Sequence, residues 1–104
     1  MNKTTLYPDW KEKIVYGTDG PEPQILMANE KVKVVLAGLK PGQKIPNHPE
    51  PQSIYHFLAG SGCMIVDGER IPVTAGATIV MPDGSVRGME AETELAFIGT
   101  RMIA

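Results

Sequence analysis

The segment PGQKIPNHPEPQSIYHFLAGSG, residues 41–62, holds both histidines of the 104-residue chain, His48 and His56. It joins a Pro-Gly turn, a proline-rich loop and an aromatic run from Ser53 to Ala59 that stops at Gly60. That run reads as a strand. Successive side chains of a strand point to opposite faces, so Ile54, His56 and Leu58 share one face and Tyr55 and Phe57 the other. A strand that is apolar on both faces needs cover on both sides. One face can fill a protein interior; the other calls for the aromatic N-terminal arm or a second copy of the chain. A homodimer is therefore expected, and light scattering that gave only the 11.3 kDa mass of one chain at micromolar concentration would sink that expectation. His56 lies on the face opposite Ser53 and Tyr55, which makes it a packing or interface residue unless the register slips.

Outward from this segment the chain alternates short apolar runs with turn chemistry. Toward the amino terminus, Lys31 and Lys33 alternate with Val32, Val34 and Leu36, a period of two that places the lysines on one strand face and the aliphatics on the other. A further strand is expected from Gln24 to Ala28, reversed at Asn29-Glu30. Before it, residues 1–22 form an arm with Tyr7, Trp10 and Tyr16, where Asp9 and Glu12 suit the start of one helical turn. This arm is expected to pack on the main domain, residues 23–104, or on a partner subunit.

Toward the carboxyl terminus, Asp67-Gly68 between Met64-Ile65-Val66 and Arg70-Ile71-Pro72-Val73 is a strong hairpin signal, because a type I′ turn needs positive φ at both central residues. Pro72 cannot donate to a sheet ladder and so marks an edge or a bulge. A strand over 77–81, a Pro82-Asp83-Gly84-Ser85 turn, and one or two strands over 93–102 complete the pattern. Short strands between glycine and proline turns, with no helix beyond a turn or two, imply an all-β sandwich or barrel.

Composition removes several function classes. The net charge is −2 with 21% charged residues, and scattered lysines do not make the clustered positive face that nucleic acid requires. No run approaches the ~20 apolar residues of a membrane-spanning helix. A single cysteine, Cys63, leaves no intramolecular disulfide and suits a reducing compartment. With no signal-peptide pattern at the amino terminus, a cytoplasmic protein is expected.

From about Val32 to Met102 the sequence resembles the small single-domain cupins. The first motif of that family runs Gly, five residues, His-x-His, three or four residues, Glu, six residues, Gly. Here Gly42, His48 and Gly60 match; Glu50 stands at the second histidine, Ser53 at the glutamate, and the loop is one residue short. In the second motif Gly76, Pro82 and Gly84 match, whereas Arg87 replaces the histidine and Ala91 the asparagine. The resemblance implies a small antiparallel β-barrel of jelly-roll type, a site inside the barrel, and frequent dimerisation.

In such a site three imidazoles and a carboxylate hold a divalent Fe, Mn, Ni or Zn ion. Only His48 and Glu50 stand at ligand positions in this chain, and the guanidinium of Arg87 ~4 Å from a divalent ion would cost about 8 kcal/mol at an effective dielectric of 20. No cofactor is therefore favoured. Three readings follow. A metal-dependent isomerase or oxygenase would use His48 and Glu50 with a further ligand. An ion pair between Arg87 and Glu50 would replace the metal and fix the interior. A small-molecule-binding or auxiliary cupin would grip an anionic ligand with Arg87, aided by His48, Glu50 and Tyr55, with Phe57, Met81 and Met89 as an apolar wall. His48 could serve such a site as a general base. The third reading is the one the sequence favours.

Overall fold

The Asp67-Gly68 dipeptide takes φ of 51° and 83°, and the hairpin closes on it. The computed structural model describes residues 3–103. Met1, Asn2 and Ala104, at the ends of the arm and of the main domain, lie outside the described residues. One four-residue helix, α1 (Trp10–Lys13), precedes nine strands: β1 (Gln24–Ala28), β2 (Val32–Leu39), β3 (Lys44–Pro49), β4 (Ser53–Ala59), β5 (Ser61–Val66), β6 (Glu69–Thr74), β7 (Thr78–Met81), β8 (Val86–Ala91) and β9 (Leu95–Met102). They build two antiparallel sheets, ordered β1-β2-β9-β4-β7 and β3-β8-β5-β6. The all-β, jelly-roll reading holds.

Two strands differ from the sequence expectation. Lys44–Pro49 is a strand although it carries Pro46 and Pro49; it runs along the edge of its sheet, where a missing backbone donor is tolerated. Val86–Ala91 is also a strand, between β3 and β5. Its sequence, Val-Arg-Gly-Met-Glu-Ala, is too mixed to announce itself. The closing segment forms one strand, Leu95–Met102, and Pro72 sits on the edge strand β6.

Alternation decides which side chains meet. Ala37, Leu39, Phe57, Met64, Met89, Leu95 and Phe97 belong to a buried cluster to which both sheets contribute. On β2 the face that begins with Lys33 continues as Val35, Ala37 and Leu39, and it is this face that turns inward. The aliphatic face, with Leu36 only 1% exposed, turns outward and is covered instead. The arm supplies cover there: Tyr16 pairs with Gly38, and a Cβ on Gly38 would stand 2.6 Å from the Tyr16 ring. Tyr7 also donates its hydroxyl to the Leu26 carbonyl at 2.9 Å. Asp9 caps α1 by accepting from the Lys11 amide.

Two backbone hydrogen bonds position the site. The Glu50 amide donates to Ser85 O at 2.8 Å, and the Gly84 amide donates to Glu50 O at 2.9 Å. The loop after β3 is thereby locked to the β7–β8 turn. Gly84, at φ 86°, supplies the left-handed residue that this turn needs.

Candidate functional site

Inward-facing positions of four strands converge on Glu50. Arg87 comes from β8, Tyr55 from β4, Arg101 from β9 and Lys33 from β2; with Glu50 and the apolar Val35, Ala37 and Phe97 they line a cavity of about 260 Å³. A larger hollow of about 480 Å³ is lined by the single turn Thr18 to Glu22 and brings no separate elements together. The cavity around Glu50 is where the chemistry gathers.

Glu50 is 4% exposed and Arg87 9%. Arg87 donates through Nη2 at 2.7 Å and Nε at 3.3 Å to Glu50 Oε1, and the Tyr55 hydroxyl donates to the same oxygen at 2.7 Å. Arg101 Nη1 stands 3.6 Å from Oε2, outside hydrogen-bond range. Burial alone would push the Glu50 carboxyl up, but the hydrogen bonds from Tyr55 and Arg87, with the charges of Arg87 and Arg101, outweigh it and hold the group below its ordinary value. Burial, and then the hydrogen bond to Glu50, push the Tyr55 phenol up to about 12. It stays protonated and serves as a donor. Burial works against the Arg87 charge, yet the Glu50 hydrogen bond and the neighbouring oxygens raise its pKa, so it stays charged.

The structure brings Glu50, Tyr55 and Arg87 together. Phe57 and Met81 are buried at 0% and 1% exposure, in the core cluster rather than on the cavity wall, and Met89 joins them. His48 is exposed and does not line the cavity. It pairs with Arg87 along the ladder, but the register of β3 shifts between Ile45 and His48. His56 is exposed on the outer face, with Nδ1 2.7 Å from Thr78 Oγ1.

Lys33 and Arg101 are cavity residues that the motif comparison does not point to, since neither stands at a motif position. A signal was present in the alternation: Leu95, Phe97, Gly99 and Arg101 occupy every second place of β9, so an inward Phe97 puts Arg101 inward too.

A divalent ion does not fit this donor set. The one carboxylate has Oε1 filled by Arg87 and Tyr55, with a second guanidinium beside Oε2. Among the described residues no three His, Cys, Asp or Glu side chains cluster in a way that could hold a metal. What the arrangement offers is positive charge around a small, partly apolar space.

Comparison with known proteins agrees with the architecture. Among solved structures, the conserved protein of unknown function SPY1581 from Streptococcus pyogenes superposes with a TM-score of 0.86 at 21% identity, covering 99% of this chain and 91% of that one. An RmlC-like cupin from Desulfovibrio desulfuricans matches with a TM-score of 0.79 at 24% identity, over 99% and 97% of the two chains. A G106A mutant of salicylate 1,2-dioxygenase from Pseudoaminobacter salicylatoxidans matches with a TM-score of 0.74 at 14% identity, over 84% of this chain and 27% of that one. These likenesses speak for the fold. No curated protein sequence matches. The family model described as "Cupin domain" matches residues 35–98, more than half of the chain, and the protein belongs to the cupin-domain family.

Proposed function

We propose that the protein is a small-molecule-binding cupin that takes an anionic ligand into the cavity beside Glu50 and Arg87. One observation carries this reading: the cavity holds three cations, Lys33, Arg87 and Arg101, against the single carboxylate of Glu50. Low-dielectric walls concentrate such an imbalance into a field that attracts anions. At about 260 Å³ the space is just below the usual range for ligand sites, so the ligand is small.

The Arg87–Glu50–Tyr55 unit acts as a preorganised floor. Arg87 and Tyr55 both direct hydrogen bonds to Glu50 Oε1, which leaves Arg101 and Lys33 for the ligand. The isomerase or oxygenase reading needs His48 and Glu50 to share an ion, and the exposure of His48 and the guanidinium on Glu50 weigh against it. In the same proposal the protein works in the cytoplasm as a homodimer. Exposed Ile25, Met27 and Val80, on the two outer strands of the five-stranded sheet, favour an apolar contact.

The test is a thermal-shift panel in low salt, with small carboxylates and phosphates set against neutral analogues of matching shape. A ligand at a hundred times its Kd stabilises by about 2.7 kcal/mol, an upward melting shift well within detection for a domain of this size. Stabilisation confined to anions and weakened by added salt supports the reading; a panel in which no anion raises the melting temperature refutes it.

A further inference from the structure

The ladder between β2 and β9 sets Lys33 directly opposite Arg101. Like charges facing each other across an antiparallel pair are destabilising. Here both point into the interior: Lys33 is half-buried, and the Arg101 side chain is 30% exposed. The nearest compensating charge is already committed, because Glu50 gives its Oε1 to Arg87 and Tyr55 and leaves Arg101 only a 3.6 Å approach to Oε2. Among the described residues Lys33 forms no ion pair. Two adjacent cations thus face the cavity with an unmet demand for negative charge.

The cavity surface next to them is apolar. One step along the ladder, Gly99 lies between Val35 and Tyr55, and a Cβ there would come 3.0 Å from the Tyr55 ring. The Tyr55 ring packs over that position, so the open slot beside the cations is the part of the cavity lined by Val35, Gly99 and, one further step inward, Phe97.

We propose that Lys33 and Arg101 together hold the carboxylate of a small organic acid whose apolar body lies in the slot formed by Val35, Gly99 and Phe97. This rests on the anionic-ligand reading above and names the residues and the ligand class. A guanidinium offers a carboxylate two parallel donors, and the ammonium adds a third from the neighbouring strand. Inorganic phosphate would meet the charges and leave the slot empty; a neutral compound of the same shape would do the reverse. The proposal also makes Lys33 a residue kept for binding at the expense of stability.

Benzoate, hexanoate, benzyl alcohol and inorganic phosphate are titrated, in low salt, into wild type and Lys33→Met, with Lys33→Gln beside it in case the apolar change fails to fold. Benzoate or hexanoate is expected to bind wild type more tightly than benzyl alcohol or phosphate does, and the Lys33 variant to bind it at least about tenfold more weakly. Without ligand the variant melts higher than wild type, by up to about 5 °C, because a repulsive pair has gone. Carboxylate affinity unchanged in the variant overturns the assignment to Lys33 and leaves the anionic cavity standing. Phosphate binding as well as the carboxylates overturns the organic-acid class, and a wild type that binds no anion removes the underlying reading as well.

Discussion

The two ends of the interior are built from the same strands and obey different rules. At one end β2, β4 and β9 contribute Leu39, Phe57 and Leu95, each 0% exposed. At the other end the same inward faces carry Lys33, Tyr55 and Arg101, joined by Arg87 from β8. The apolar end is held by burial, which is non-directional and scales with the area removed from water. At the charged end Glu50, Arg87 and Tyr55 are held by pairing, and each of the two charges in that unit is stable only while its partner stays. Removing a side chain at the first end costs what that side chain contributed; removing Glu50 or Arg87 at the second also leaves a buried charge behind.

The largest expected effect tests that distinction. Arg87→Met strands the Glu50 carboxylate with only Tyr55 and a distant Arg101, and a broken buried pair typically costs about 3 kcal/mol or more. Glu50→Gln in the same chain removes the orphaned charge, so the double variant should recover most of the loss, with a coupling of about 1–3 kcal/mol in a denaturation cycle at neutral pH. Purely additive losses would mean that the pair does not hold this end of the interior. Recovery to wild type or above would mark the ion pair as a device for specificity or function rather than for stability.

The same contrast explains what the sequence made legible. Turns announce themselves through residues with few conformational options, so the Asp67-Gly68 hairpin and the Pro82–Ser85 turn could be located from the chain alone, and with them the cupin architecture. Edge strand β3 was hidden because two prolines read as a loop until a sheet is known to end there. On β2 the alternation separates a lysine face from an aliphatic face, but nothing local says that the lysine face turns inward while Tyr16 packs on the other. Motif positions pointed to Glu50 and Arg87, which the structure joins at 2.7 Å. They also pointed to His48, which lies on the edge strand β3 and is exposed. Lys33 and Arg101 stand outside every motif, and only the cross-strand register brings them face to face.

A smaller effect separates the two ends by pH. Glu50 has a folded-state pKa below its ordinary value of 4.5, so its contribution to stability is fully present above that value and is lost as pH falls through the folded one. The apolar end has no such dependence. The difference in unfolding free energy between wild type and Glu50→Gln should therefore be largest near pH 7 and shrink as the pH is lowered toward 3. Tyr55→Phe removes one of the hydrogen bonds that depress the Glu50 pKa, at about 1 kcal/mol, and should make the acid loss smaller and complete it at a higher pH than in wild type. Urea titrations at several acidic pH values read both effects. A wild-type advantage that stayed constant down to pH 3 would show that Glu50 contributes through shape and hydrogen bonding rather than charge. The cavity would then owe its anion preference to Lys33 and Arg101 against a neutral floor.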